Sequence, residues 1–222
     1  QSCLLQKTGT LYNMGFVIRT LRKVMLATNN YLDPKHSVLL ELGDQNAFNS
    51  LVNSEKINKF RIKDIMHAYF KEYHTLDLKG SDIVKTDLSE YSPGLSKADI
   101  ITNIGTSEHV ELEEGQWNCW RNLHSWLNVG GIMIHELPEL GGWPGHCRYY
   151  TTLEYFKSLE KCGYKILELD THKFNIGNCI WCVVRKIEDL PFMDFETFFL
   201  NMKIERETQI AGTIESNNPK KL

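Results

Sequence analysis

The chain has 222 residues, 42% of them hydrophobic and 11% aromatic, with a formal net charge of -3. That length suits one α/β domain with peripheral additions, and the apolar share supplies a sizeable core and excludes wholesale disorder. The small negative charge gives no electrostatic case for broad nucleic-acid binding, and no apolar run approaches a membrane span.

The first residues lack a charged-then-apolar secretory pattern. Six cysteines (Cys3, Cys119, Cys147, Cys162, Cys179, Cys182) are scattered through a chain too long to need disulfide staples. Their scatter favours free thiols in a reducing, cytoplasmic compartment. Cys179 and Cys182 formally match C-x-x-C. Residues three apart in a β-like run point to opposite faces, however, so buried free cysteines are expected there.

In chain order, Leu11, Met14, Ile18, Leu21 and Met25 recur at helical spacing, with Thr10 as N-cap and Pro34 closing the segment. This predicts an amphipathic helix over 11–28. The stretch VLLELGDQNAF (Val38 to Phe48) follows. An apolar run into Glu41 and Gly43, with Asp44, Gln45 and Asn46 ahead of a predicted helical segment, reads as a buried parallel strand that delivers its carboxyl end to a ligand. Gly43 lets the backbone approach a cofactor closely, and Glu41 offers an acceptor.

Ser54 is placed to cap a helix carrying Ile57, Phe60, Ile65, Tyr69 and Tyr73 on one face. HTLDLKG (His74 to Gly80) reads as the second strand, and DIVKTDLSEY holds a short third strand ending at Asp87. ADIITNIG (Ala98 to Gly105) is a fourth. Trp117, Trp120, Leu123 and Leu127 mark a helix that is expected to stop at Gly130–Gly131. GIMIHELP (Gly131 to Pro138) is a fifth strand, and ELGGWPGHCRYY after it reads as a pocket-covering loop.

Thr151 and Glu154 have capping-box spacing for a helix ending at Gly163. YKILELDTHKF and CIWCVVRKI suit an antiparallel pair joined through Asn175 and Gly177. Phe192, Phe195, Phe198 and Phe199 mark a final helix before a polar tail. Strand–helix alternation closed by an antiparallel pair predicts a doubly wound, mostly parallel α/β sheet with helices on both faces.

Successive strand ends bring polar residues to one sheet edge: Glu41, Gly43 and Asp44, then Asp77, then Asp87, then Asn103 with Gly105, Thr106, Ser107, Glu108 and His109. A lone Asp after a strand is most often a turn former, but recurrence on successive strands argues for a site. A carboxylate at the second strand end can accept both hydroxyls of a ribose. Gly43 stands without the further glycines that a pyrophosphate needs, and Asp44 would repel one. A cofactor with adenosine and a cation but no phosphate suits this acidic rim better.

At this point the chain resembles a class I S-adenosylmethionine-dependent methyltransferase. The resemblance rests on LLELGDQ, Asp77 in HTLDLKG, Asp87 in TDLSEY, ADIITNIGTSEH and LHSWLNVGGIMIHELP, and covers about residues 35–187. It implies a seven-stranded sheet with a C-terminal antiparallel strand pair. The domain layout is then an N-terminal helical segment over 1–34, a cofactor-binding domain over 35–188, and a C-terminal helix and tail over 189–222. The resemblance also implies S-adenosylmethionine as cofactor. Glu41 and Gly43 would lie at its methionine end, Asp44 would be a further cofactor contact, and Asp77 would lie on the ribose. Asp87 and the Leu88 backbone would hold the adenine, and Asn103 and Gly105 would flank the transfer site. The chain departs from the family's E/D-x-G-x-G-x-G loop by Gln45 and Ala47, which puts the grip on the cofactor's carboxylate in doubt.

A base is needed only if the acceptor arrives protonated. His109, His135 and His146, each in or beside a post-strand loop, are the candidates, while His124 on a predicted helix reads as packing. The histidines lack metal-ligand spacing, so no metal is expected. The fourth strand reads NIGT, which disfavours amino-methylating DNA enzymes. The expected partner is a small-molecule, sugar or peptide-like methyl acceptor, and self-association stays open. A catalytically silent module of the same fold is the alternative, and the glycine count argues against a nicotinamide-dependent oxidoreductase.

Overall fold

The computed structural model describes residues 17–44, 46–48, 59–78, 84–141, 143, 145–174 and 177–204. The expected cap Thr10, the residues Leu11, Met14, Ser54 and Ile57, and the polar tail lie outside them.

In chain order the elements are α1 (Ile18–Tyr31), β1 (Val38–Leu42), β2 (Asn46–Phe48), β3 (Lys59–Arg61), α2 (Ile62–Tyr69) and β4 (Glu72–Asp77). There follow β5 (Val84–Lys85), β6 (Ala98–Ile104), α3 (Glu113–Trp126), β7 (Leu127–Pro138), β8 (Tyr149–Tyr150) and α4 (Leu153–Ser158). The chain closes with β9 (Tyr164–Lys173), β10 (Asn178–Lys186), α5 (Phe195–Asn201) and β11 (Lys203–Ile204).

Seven strands form one sheet in the order β5-β4-β1-β6-β7-β10-β9. The first five pair in parallel, and β10 runs antiparallel between β7 and β9. The α/β architecture, the doubly wound parallel run and the terminal antiparallel pair are those expected from the sequence. Because helices cover both faces, the central strands are buried on both sides and mostly apolar rather than alternating. Leu39, Ile100, Ile132 and Val183 face Leu21 and Val24 of α1 and Met66 of α2. Leu40, Ile101, Met133 and Cys182 face Trp120 and Leu123 of α3, Phe156 of α4 and Phe198 of α5. Among the described residues no helix is long and apolar enough to cross a membrane.

Several local expectations need correction. The residues next to Asp44 that are described, 46–48, are not helical: β2 pairs antiparallel with β3, and α2 follows β3 from Ile62. Phe60 is therefore in a strand, and Tyr73 lies in β4, not on the helix. In α1 the buried stripe is Thr20, Leu21, Val24, Ala27 and Thr28, turned from the predicted face. Thr20 turns inward because its hydroxyl donates to the buried Glu136 carboxylate, 2.5 Å away.

Helix α3 ends at Trp126, and β7 already pairs Leu127 with Ala98 ahead of the glycine pair. The glycines sit inside the strand at an irregularity, where a Cβ on Gly131 would meet the Asp99 carbonyl oxygen at 2.7 Å. Buried Lys186 instead closes the helix end, its Nζ donating to the His124 carbonyl at 2.9 Å and pairing with Asp189 at 2.5 Å. The cap of α4 is Thr152 rather than Thr151, its Oγ1 accepting from the Tyr155 N–H at 2.9 Å.

The five described cysteines are free. Cys179 packs with Trp143 and Tyr150, whereas Cys182 packs on the α3 side of the sheet, so the C-x-x-C pair is split as the strand geometry requires.

Candidate functional site

Chain order along the sheet reverses between β1 and β6: β4 and β5 lie to one side of β1, and β6 and β7 to the other. Ligands of open α/β sheets bind beyond the carboxyl ends of the strands at such a point. The strand ends here are laced together. The Gly43 N–H donates to the Leu76 carbonyl at 2.7 Å, the Thr106 hydroxyl donates to the Leu42 carbonyl at 2.9 Å, and the Gly105 N–H donates to the Glu136 carbonyl at 3.0 Å. Gly43 (φ 82°) and Gly105 (φ 63°) both take the left-handed conformation as the chain leaves adjacent strands.

On the β4 side, half-buried Asp77 accepts from the Asp44 backbone N–H at 3.0 Å, which fixes the first loop against the second strand end. The Asp44 side chain pairs with buried Lys63 of α2 at 3.0 Å. Glu41 is buried and accepts a hydrogen bond from the Tyr73 hydroxyl. Burial pushes the Glu41 carboxyl up to about 8 against the opposing pull of that hydroxyl, so it holds its proton at neutral pH. Its Oε1 has no partner among the described groups. Asp87 accepts through Oδ1 from the Ser89 N–H at 2.9 Å and the Ser89 hydroxyl at 2.6 Å, a turn-forming arrangement. The Leu88 side chain enters the core.

On the β6 side, buried Asn103 organises the turn that follows. Its Oδ1 accepts from the Ser107 N–H at 3.1 Å, and its Nδ2 donates to the Ser107 hydroxyl at 2.8 Å. Gln116 of α3 clamps the same turn, donating to the carbonyls of Ser107 and Val110 at 2.7 Å each. This turn carries Glu108 and His109, and the loop after β7 brings His146 to it. Glu108 Oε1 lies 3.8 Å from His109 Nε2 and 3.7 Å from His146 Nε2. The two imidazole rings meet edge to face with centroids 4.8 Å apart.

His135 is placed differently. It is fully buried beside Trp120 and Phe156, and desolvation pushes its imidazole down to about 3. Asn103 Nδ2 lies 3.3 Å from its Nδ1, which assigns Nδ1 as acceptor and the proton to Nε2. His124 packs against Tyr164 and Phe192.

The structure therefore gathers Glu41, Gly43, Asp44 and Asp77 on one side of the switch point, and Asn103, Gly105, His109 and His146 on the other. Sequence reasoning overlooked Tyr73, assigned to a helix, and Lys63. The alternation of Tyr73 and Thr75 in EYHTLD is the signal that puts Tyr73 in a strand, while the register that sets Leu39 opposite Tyr73 and Glu41 opposite Thr75 is decided by the fold. Lys63 carried none.

No protein-family model and no curated protein matches this sequence. Solved structures do. The chain is similar to the 1,6-didemethyltoxoflavin-N1-methyltransferase of Burkholderia thailandensis (TM-score 0.53, 14% identity), over 77% of this chain and 78% of that one. It is similar to the N-methyltransferase NodS of Bradyrhizobium japonicum (TM-score 0.54, 14% identity), over 77% of this chain and 95% of that one. It is also similar to the magnesium protoporphyrin IX methyltransferase of Synechocystis (TM-score 0.51, 11% identity), over 76% of this chain and 77% of that one. The chain has the fold of a class I S-adenosylmethionine-dependent methyltransferase. In this chain the residues close after Gly43 and Asp44 form β2, which pairs with β3.

Proposed function

We propose that the chain binds S-adenosylmethionine and transfers its methyl group to an oxygen or nitrogen of a small-molecule, sugar or peptide-like acceptor. The observation that carries this reading is the Asp77 carboxylate at the end of β4, hydrogen-bonded to the Asp44 backbone across the strand ends. An acidic residue there suits a ribose diol. In this reading Asp77 holds the ribose hydroxyls, and Asp87 with the Leu88 backbone holds the adenine. Glu41, Gly43 and Asp44 meet the methionine end, while Asn103 and Gly105 flank the reacting centre. When bound, the cofactor supplies an electrophilic methyl group on a sulfonium, which an aligned nucleophile can take in line.

The protein's share of such a reaction is chiefly proximity and alignment. His109 and His146 are placed to take a proton from an acceptor that arrives protonated. Buried His135 acts through Asn103 on the turn that carries His109. Small-molecule acceptors agree with the names of structural neighbours, one of which methylates 1,6-didemethyltoxoflavin and another magnesium protoporphyrin IX.

A second reading, a catalytically silent module, is favoured by a specific observation. The glycine-poor loop runs into a hairpin instead of a helix, and Lys63 neutralises Asp44 beside it. Calorimetric titration with S-adenosylmethionine and S-adenosylhomocysteine separates the two. Micromolar binding to the wild type, weakened in Asp77→Ala by roughly ten- to a hundredfold, supports the enzyme. Folded wild type that binds neither ligand moves the silent module to first place.

A further inference from the structure

The cluster at the end of β6 has a property that the methyltransferase reading does not use. Glu108 is buried, its side chain only 3% exposed, yet neither carboxylate oxygen has a hydrogen-bond donor among the described groups. An isolated buried carboxylate costs several kcal/mol, so native proteins pair it or bind a cation with it. Imidazole nitrogens of His109 and His146 lie 3.8 and 3.7 Å from its Oε1, and His146 Nε2 is itself buried without a hydrogen bond among the described groups.

The three ligand atoms lie within 4.8 Å of one another. A tetrahedral ion with bonds of about 2.0–2.1 Å sets its ligands about 3.4 Å apart, so the two Glu108 contacts need to shorten by a few tenths of an ångström and the two imidazole nitrogens to close by up to roughly 1.4 Å, a turn of the exposed His109 side chain. The group is also preorganised. Asn103 and Gln116 clamp the turn of Ser107–His109 from two sides, and the His146 N–H donates to the Trp143 carbonyl at 3.1 Å. Two adjacent residues and a third from another loop explain why no ligand spacing shows in the sequence.

We propose that Glu108, His109 and His146 hold a divalent transition-metal ion at the carboxyl end of β6, with its open positions facing the methyl acceptor. Two imidazoles with one carboxylate select ions of the zinc, cobalt, iron or manganese kind over magnesium or calcium. Three protein ligands leave positions for an exchangeable group, as catalytic metal sites do. His109, with 43% of its side chain exposed, sits on the solvent side and leaves the ion reachable. Coordination of an acceptor oxygen or nitrogen there rests on the methyltransferase reading and takes the place of proton removal by His109 and His146, whose Nε2 lone pairs the ion would hold; ion binding itself does not rest on that reading.

The test uses the full chain without a histidine tag, stripped with a chelator and titrated calorimetrically with Zn²⁺ and, separately, Mg²⁺. Co²⁺ loading is followed by its visible absorption. One Zn²⁺ per chain, little Mg²⁺ binding, and a Co²⁺ band that disappears in Glu108→Gln are expected. Affinity for Zn²⁺ falls roughly tenfold or more in Glu108→Gln, and likewise in His109→Asn, whose exposed position leaves folding intact. Folded wild type that takes up no Zn²⁺, or uptake unchanged in both variants, overturns the proposal. S-adenosylhomocysteine titration of the same samples reads the methyltransferase proposal independently, since Glu108 and His109 are not among its cofactor contacts.

Discussion

Asp44 lies at the acidic rim but not as a bare carboxylate, because Lys63 of α2 pairs with it at 3.0 Å. S-adenosylmethionine carries one more positive charge than S-adenosylhomocysteine, so in the proposed reading the ammonium of Lys63 opposes the former more than the latter. Lys63→Met is expected to shift the ratio of the two affinities toward S-adenosylmethionine by roughly fivefold, the ~1 kcal/mol scale of a partly exposed ion pair. Paired titrations of wild type and variant check it, and an unchanged ratio places Asp44 away from the sulfonium end. The pair also shows the limit of residue-level reading. Asp44 was recognisable as a strand-end acid, but its neutralising partner comes from the far end of a crossover.

At the scale of elements, the junction between α4 and α5 depends on one hydroxyl. Thr152 Oγ1 accepts from the Tyr155 N–H and donates to the Asn201 carbonyl at 2.7 Å, so it caps one helix and ties it to the end of the next. Thr151 is also buried, but its hydroxyl has no hydrogen bond among the described groups. Thr152→Val is expected to cost about 1–2 kcal/mol, a fall in Tm of roughly 2–8 °C, while Thr151→Val leaves Tm unchanged or higher. Thermal unfolding of both variants measures the difference. The spacing of Thr151 and Glu154 suggested the wrong threonine by one position. Adjacent hydroxyl residues offer the same local chemistry, and the packing of α5 chooses between them.

Over the whole molecule, three buried groups set opposing pH dependences. Desolvation holds His135 down to about 3 and His124 down to about 4, both from an ordinary 6.5. The unfolded chain then binds more protons below pH 6.5, so stability rises as pH climbs to that value. Glu41 is pushed from 4.5 up to about 8, so the folded chain retains a proton that the unfolded chain has lost, and stability falls across that interval. Each group contributes up to about 1.4 kcal/mol per pH unit inside its window. Below pH 6.5 the two histidines outweigh Glu41, and above it Glu41 acts alone. Stability is expected to peak near pH 6.5, which denaturant unfolding across pH 5 to 8 measures. Glu41→Gln removes the alkaline decline, and a decline that survives this change assigns it to other groups.

The sequence by itself determined the fold class. Apolar runs ending in Gly43 and Gly105, helices of 3.6 periodicity between them and a final pair of strands leave few ways to bury both sheet faces. It also determined which residue types reach the carboxyl edge, since the strand ends that carry Asp77, Asp87 and Asn103 follow from that pattern. Only the tertiary structure decided their company. Tyr73 against Glu41, Lys63 against Asp44, and His146 against Glu108 and His109 are pairs from separate elements. Hydrophobic periodicity reports which face of an element is buried, and it carries no record of which polar group another element brings to meet it. The hairpin after Asp44 escaped for a related reason: β2 and β3 are too short for periodicity and exist only by pairing with each other.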